Sequence, residues 1–150
     1  MVAYSYKGRF VAPIRVGLGL PILDLHYELG GYAPGSLIRP KRQTIRANGR
    51  RRHARAGETL QLYYAQRSPT KCFKIGEGRC KAVDDIRIYV HAEWIETGGY
   101  IRKSARELDA FAVKDGFDDW SGMRAFWLEE HDGKHLGPFV GVLIQWEPLR

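Results

Sequence analysis

At 150 residues the chain can bury one hydrophobic core and is short for two; 44% hydrophobic and 27% charged residues exclude a disordered chain. A net charge of +7 argues against an enzyme of small neutral metabolites and for a polyanionic partner, nucleic acid before membrane. Two cysteines without a CxxC spacing, no membrane-length apolar run and no charged start before an apolar stretch predict a cytoplasmic protein with free thiols and no metal, cofactor or membrane. His131 and His135 have i,i+4 spacing, but Asp132-Gly133 between them predicts a turn rather than a metal-binding helix.

In chain order, residues 4–14 (YSYKGRFVAPI) predict a short helix disturbed by Pro13. Residues 15–40 are rich in Gly and Pro without a sustained period, and predict an ordered excursion because Ile22, Leu23, Leu25 and Tyr27 need somewhere to pack. From residue 41 a basic stretch follows, and the period turns to two from GETLQLYYAQR at residue 57. On a strand KRQTIR places Arg42, Thr44 and Arg46 on one face and Gln43 and Ile45 on the other, with Lys41 at the entrance able to turn toward Thr44.

GETLQLYYAQR predicts a strand with Leu60, Leu62 and Tyr64 on one face; CFKIGEGRCKAV predicts another, interrupted near Gly76 and Gly78. DDIRIYVHAEW puts Ile86, Ile88, Val90, Ala92 and Trp94 on one face, and FVGVLIQWEP lines up Val140, Val142, Ile144 and Trp146. Before that last strand, Ser104-x-x-Glu107 is a capping box opening a helix with Leu108, Phe111 and Ala112 buried. Gly116 is its stop, and Asp118 caps a second helix that buries Trp120, Met123 and Trp127. The expected fold is α+β: a small curved β-barrel with flanking short helices, two of them inserted before the closing strand, in one domain over 1–150.

Charge is segregated: residues 39–55 hold eight Lys or Arg and no acid, whereas residues 106–134 hold eight acids against four bases. A hydroxyl ringed by fixed cations, as at Thr44, suits an anionic ligand, or a nucleophile whose proton a neutral lysine removes. The same pattern also describes a solvated edge strand kept soluble by charge. Arg50, Arg51, Arg52 and Arg55 around Asn48-Gly49 fit a phosphate-holding loop and equally a solvated turn. Tyr63, Tyr89 and Trp94, on or near strands, are candidates for stacking on unpaired bases. Asp115 closes the first inserted helix, where the helix terminus disfavours a second negative charge; it calls for a raised pKa or a cationic partner such as Lys41, unless it only shapes the turn.

KRQTIR, GETLQLYYAQR, KIGEGRCKAV, LDAFAVKDGF and FVGVLIQW, taken in that order over residues 41–147 with the N-terminal YSYKGRFVAPI, resemble the ASCH domain family of the PUA-like fold. The resemblance implies a small β-barrel with a cleft for RNA or a nucleoside. One branch of that family hydrolyses N4-acetylcytidine with a Lys, a Thr three residues later and a distal Glu; by position these are Lys41, Thr44 and Asp115. Other members are proposed to be ribonucleases or RNA-binding modules. Asp115 is one methylene shorter than that Glu, and the 15–39 excursion is longer than the usual link and in a position to lid the cleft.

The function expected is RNA or nucleotide binding in a basic cleft. Its floor would be Lys41, Thr44, Arg46 and Asp115, with Arg42 and Tyr64 beside them and Arg50, Arg51, Arg52, Arg55 and Arg67 at the rim. The rival is a hydrolase of N4-acylated cytidine or of RNA. A charge-rich structural protein without a ligand is the third reading.

Overall fold

The computed structural model describes residues 2–130 and 137–149. The His131/His135 pair and the Asp132-Gly133 turn lie outside the described residues. The architecture is α+β. One seven-stranded sheet is built from β1 (Val2–Tyr6), β2 (Gln43–Ala47), β3 (Thr59–Tyr64), β4 (Phe73–Tyr89), β5 (Trp94–Thr97), β6 (Tyr100–Arg102) and β7 (Phe139–Pro148). The helices are α1 (Val11–Gly17), α2 (Asp24–Gly30), α3 (Ala105–Lys114) and α4 (Trp120–Glu130).

The N-terminal segment differs from expectation. Tyr4 and Tyr6 are buried on one side of a strand, β1, which pairs in parallel with β3. A 3-10 turn over Gly8–Phe10 leads into α1 at Val11, and Pro13 falls in the first α-helical turn, where no backbone N–H is needed. The excursion is ordered as expected and contains α2, whose buried His26 accepts the Leu23 N–H through Nδ1 at 2.9 Å.

β4 is the spine. Two predicted strands are one uninterrupted element of 17 residues, paired with β3 near its start, β5 near its end and β7 along its other edge. Gly76 and Gly78 do not break it: a Cβ on Gly76 would meet Leu18 and Leu20 at 2.7 and 2.8 Å, so the missing side chain lets the end of α1 lie on the strand. The strand ends at Tyr89, where a turn with Glu93 at φ 61° reverses the chain into β5. Ala92 and Trp94 therefore leave the predicted row, and Trp94 stacks on Tyr89 instead, with centroids 4.0 Å apart.

β7 pairs with both β4 and β2, burying Val142, Ile144 and Trp146. Val140, predicted in the same row, lies beyond the end of β2 and is 50% exposed. The inserted helices follow the expected stripes: Leu108, Phe111 and Ala112 on α3, and Trp120, Met123 and Trp127 on α4, are buried. Ser104 caps α3 as expected. The cap of α4 is Asp119 rather than Asp118, its Oδ1 accepting the Gly122 N–H at 2.8 Å.

The predicted closure into a barrel is not made: among the described residues no ladder joins β1 to β2, and the sheet stays open at that seam. A side chain crosses it instead, Arg46 Nη2 donating to the Ser5 carbonyl at 2.6 Å.

Candidate nucleotide-binding cleft

The open seam holds a cleft of about 470 Å³, with Ser5 and Tyr6 on one lip and Thr44, Arg46 and Ala47 on the other. Its floor depends on how the chain enters β2. Lys41 N donates to Pro13 O at 2.9 Å and Arg42 N to Lys114 O at 3.4 Å, clamping the entry between α1 and the end of α3.

Lys41 is only 3% exposed and runs to the C-terminus of α3. Its Nζ donates to the Asp115 carbonyl at 2.7 Å and to Asp115 Oδ1 at 3.0 Å, and lies 4.6 Å from the Phe10 ring centre. A buried ammonium thus meets the negative end of a helix, a carboxylate and a π face together. Gly116 is required twice here: its φ of 94° is left-handed, and a Cβ would stand 3.2 Å from Lys41 Cβ.

Burial pushes Lys41 below the ordinary lysine range against the pull of Asp115, with Arg46 and Arg9 adding repulsion. Burial also raises Asp115, while Lys41 and the neighbouring Gln43 hold it down. Desolvation is the leading influence on both partners.

Thr44 is buried and lines the same floor, while the ammonium of Lys41 is directed to Asp115. Beside it, the Arg46 guanidinium lies over the Tyr6 and Tyr4 rings at 4.8 and 5.3 Å, and its Nε is buried without a hydrogen-bond partner. Burial raises the pKa of the Tyr6 hydroxyl, against the pull of the neighbouring Arg46 and Thr44. Phe10, Phe126, Trp127 and Phe139 form apolar walls, and Lys7 pairs with Glu130 at the rim.

Lys41, Thr44, Arg46 and Asp115 therefore converge, as the sequence predicts. Arg42 does not join them: it stands before the strand begins, and its Nε donates to Gly17 O at 3.0 Å outside the cleft. Tyr64 packs on Phe73 at 5.3 Å and lines no part of the cleft. Tyr89 and Trp94 face each other rather than this cleft. No residue of the 15–40 excursion lines it, so the predicted lid is absent there.

None of the four loop arginines lines the cleft. Arg52 is engaged by Glu58 through two bonds of 2.7 Å, which hold the Glu58 carboxyl down at about 2. Arg50, Arg51 and Arg55 are exposed. Their loop nevertheless hangs from the end of the cleft, because His53 bonds the Ala47 carbonyl through Nε2 at 2.8 Å and the Tyr4 hydroxyl through Nδ1 at 3.1 Å. Arg67 is exposed next to Gln66, whose N–H donates to Ser5 Oγ on the opposite lip.

The aromatic walls were missed from the sequence. The alternation of Tyr4 and Tyr6 was the available signal, and it shows β1 but not what β1 faces. Among the described residues no group of three or more His, Cys, Asp or Glu could hold a metal ion, and no helix is long and apolar enough to cross a membrane. No family model, curated protein or solved structure matches the chain.

Proposed function

We propose that this is a cytoplasmic, ASCH-like protein of PUA-like architecture that takes an unpaired base of an RNA strand, or a free nucleoside or nucleotide, into the seam cleft. The observation that carries the reading is the buried Lys41–Asp115 pair set with Thr44 and Arg46 at the foot of aromatic walls. Flat apolar walls suit a base, and fixed polar groups at the foot suit its hydrogen-bonding edge. A cleft of about 470 Å³ lies in the ordinary size range of small-molecule sites.

Charge narrows what belongs inside. Lys41 is matched by Asp115 and Lys7 by Glu130, and among the described residues no carboxylate pairs with the third lining cation, Arg46. That suits a neutral or singly charged group in the cleft. Phosphates would run outside it, past Arg50, Arg51 and Arg67. Affinity for single-stranded RNA is therefore expected to fall steeply with salt, and Arg50→Ala with Arg51→Ala to flatten the log–log slope by about 0.7 per lost phosphate contact. Arg52→Ala should leave the slope near wild type, since its charge already serves Glu58. An unchanged slope in the double variant returns the loop to a solvated turn.

A hydrolase acting on N4-acylated cytidine or on RNA is the second reading, favoured by one observation: Thr44 shares the floor with a lysine whose pKa burial lowers. In that reaction Thr44 Oγ1 would attack the acyl carbon or the phosphorus as neutral Lys41 takes its proton, Asp115 would orient Lys41 or protonate the departing group, and a water would then free the acyl or phosphoryl group from Thr44. Lys41 would first have to give up a proton, and its present bonds to Asp115 oppose this. Thr44→Val separates the readings. As a binder it should lose about 0.5–1.5 kcal/mol, one ordinary hydrogen bond. As an enzyme it should lose turnover while binding changes little. Calorimetric titration with cytidine, uridine and short RNAs, with mass spectrometry after incubation with N4-acylated cytidines, measures both. Turnover by Thr44→Val at the wild-type rate removes Thr44 as nucleophile, and no binding of any of these ligands sinks the reading.

A further inference from the structure

On the outer side of the β2 entry lies a second cleft, of about 390 Å³, that the proposed function does not use. Three cations from three different elements line it. Arg42 precedes β2 and is braced by its Nε bond to Gly17 O. Lys114 is the last residue of α3. Lys81 is the extra residue of a bulge in β4, since Cys80 pairs with Trp146 and Ala82 with Gln145. Bulges re-aim the side chain they carry.

Neither Lys81 nor Lys114 makes an ion pair among the described residues, and the one lining carboxylate, Glu147, faces Arg79 at 4.0 Å. Two amides, Gln43 and Gln145, complete the lining. Gln43 is 1% exposed and its amide also serves Asp115, which leaves Gln145 as the amide open to a ligand. A neighbouring groove shares Gln43, Lys114 and Gln145 and adds Arg102 and Glu107, the latter engaged by Tyr100 and Ser104.

We infer that this outer cleft binds a phosphoryl group. Arg42, Lys81 and Lys114 outweigh Glu147 by two charges, which a phosphate dianion neutralises and a single carboxylate does not. Arginine supplies a planar fork, the lysines supply movable point charges, and a glutamine amide supplies an uncharged donor, a set that surrounds three oxygens. The site lies on the far side of β2 from Thr44, so it stands whether or not the seam cleft takes a nucleoside.

The test is a pyrophosphate titration at low salt followed by the backbone amide spectrum. Saturable shifts centred on Arg42, Gln43, Lys81, Lys114 and Gln145 are expected. Replacing the exposed Lys81 and Lys114 by Ala together should weaken binding at least about tenfold, which one charge-assisted hydrogen bond is worth. Competition at these amides by a single-stranded RNA oligonucleotide assigns the phosphate to a nucleic-acid backbone. An oligonucleotide that moves only seam-cleft and arginine-loop amides assigns it to a free phosphoanion. Shifts that never saturate, that centre on Arg50 and Arg51, or that persist unchanged in the double variant overturn the inference. The wild-type titration decides even if the variant does not fold.

Discussion

Asp115→Ala should lower the unfolding free energy by about 3–5 kcal/mol, the usual cost of removing one partner of a buried ion pair. Lys41 would remain 3% exposed with only the helix-end carbonyl and the Phe10 ring to face, and neither replaces a carboxylate. Asp115→Asn, which keeps the shape and an acceptor oxygen, should cost less. Lys41→Met with Asp115→Leu should recover most of the loss, because a buried pair exchanged for apolar side chains is often neutral or stabilising. Urea unfolding of the four proteins checks this.

The pH dependence has a definite sign. Asp115 is the group that raises the pKa of Lys41 against burial, so without it the folded-state value drops further below the unfolded one. The unfolded chain then binds more protons, and stability rises with pH. The deficit of Asp115→Ala should therefore shrink as pH climbs toward the ordinary lysine value of about 10.4. A variant that unfolds with the wild type at every pH means the pair carries no coupling. Under the proposed function, the same substitution should abolish nucleoside binding in the seam cleft, whose floor the pair forms.

Ile144→Asp should leave no folded protein. Ile144 is fully buried on β7, between Thr44 on β2 and Val83 on β4, so a carboxylate there would have to be stripped of water inside the core. Ile144→Ala should fold with a loss of about 2–5 kcal/mol. Val140→Asp is the control: two strand repeats earlier on the same face but 50% exposed, it should change stability by no more than about 0.5 kcal/mol. Circular dichroism and thermal melts distinguish the three, and a folded Ile144→Asp would mean that β7 does not close over β2 as described.

These outcomes separate what is local from what is not. A period of two is a property of neighbouring residues, so Leu60/Leu62 and Val142/Ile144/Trp146 were legible as buried strand faces. The Ser104–Glu107 cap and the helical stripes of α3 and α4 were legible for the same reason. Strand spacing paired Lys41 with Thr44, the helix end offered Lys41 as a partner for Asp115, and the resemblance joined all three, which share one cleft.

What the tertiary structure decided is every partner remote in the chain. The parallel pairing of β1 with β3 has no local signal, because it joins residues 2–6 to 60–64. The open seam, and hence the cleft, follows from β1 and β2 each having one strand partner among the described residues. Arg42 turned outward because the strand begins one residue later, at Gln43, and Gly17 offers a carbonyl. The arginine run divided because Glu58 engages Arg52 and leaves Arg50 and Arg51 free to meet solvent. Basic residues adjacent in sequence thus serve a buried ion pair, a surface salt bridge and two separate clefts. Which of these each one joins depends on contacts made elsewhere in the chain, where burial and the nearest carboxylate set the fate of a charge.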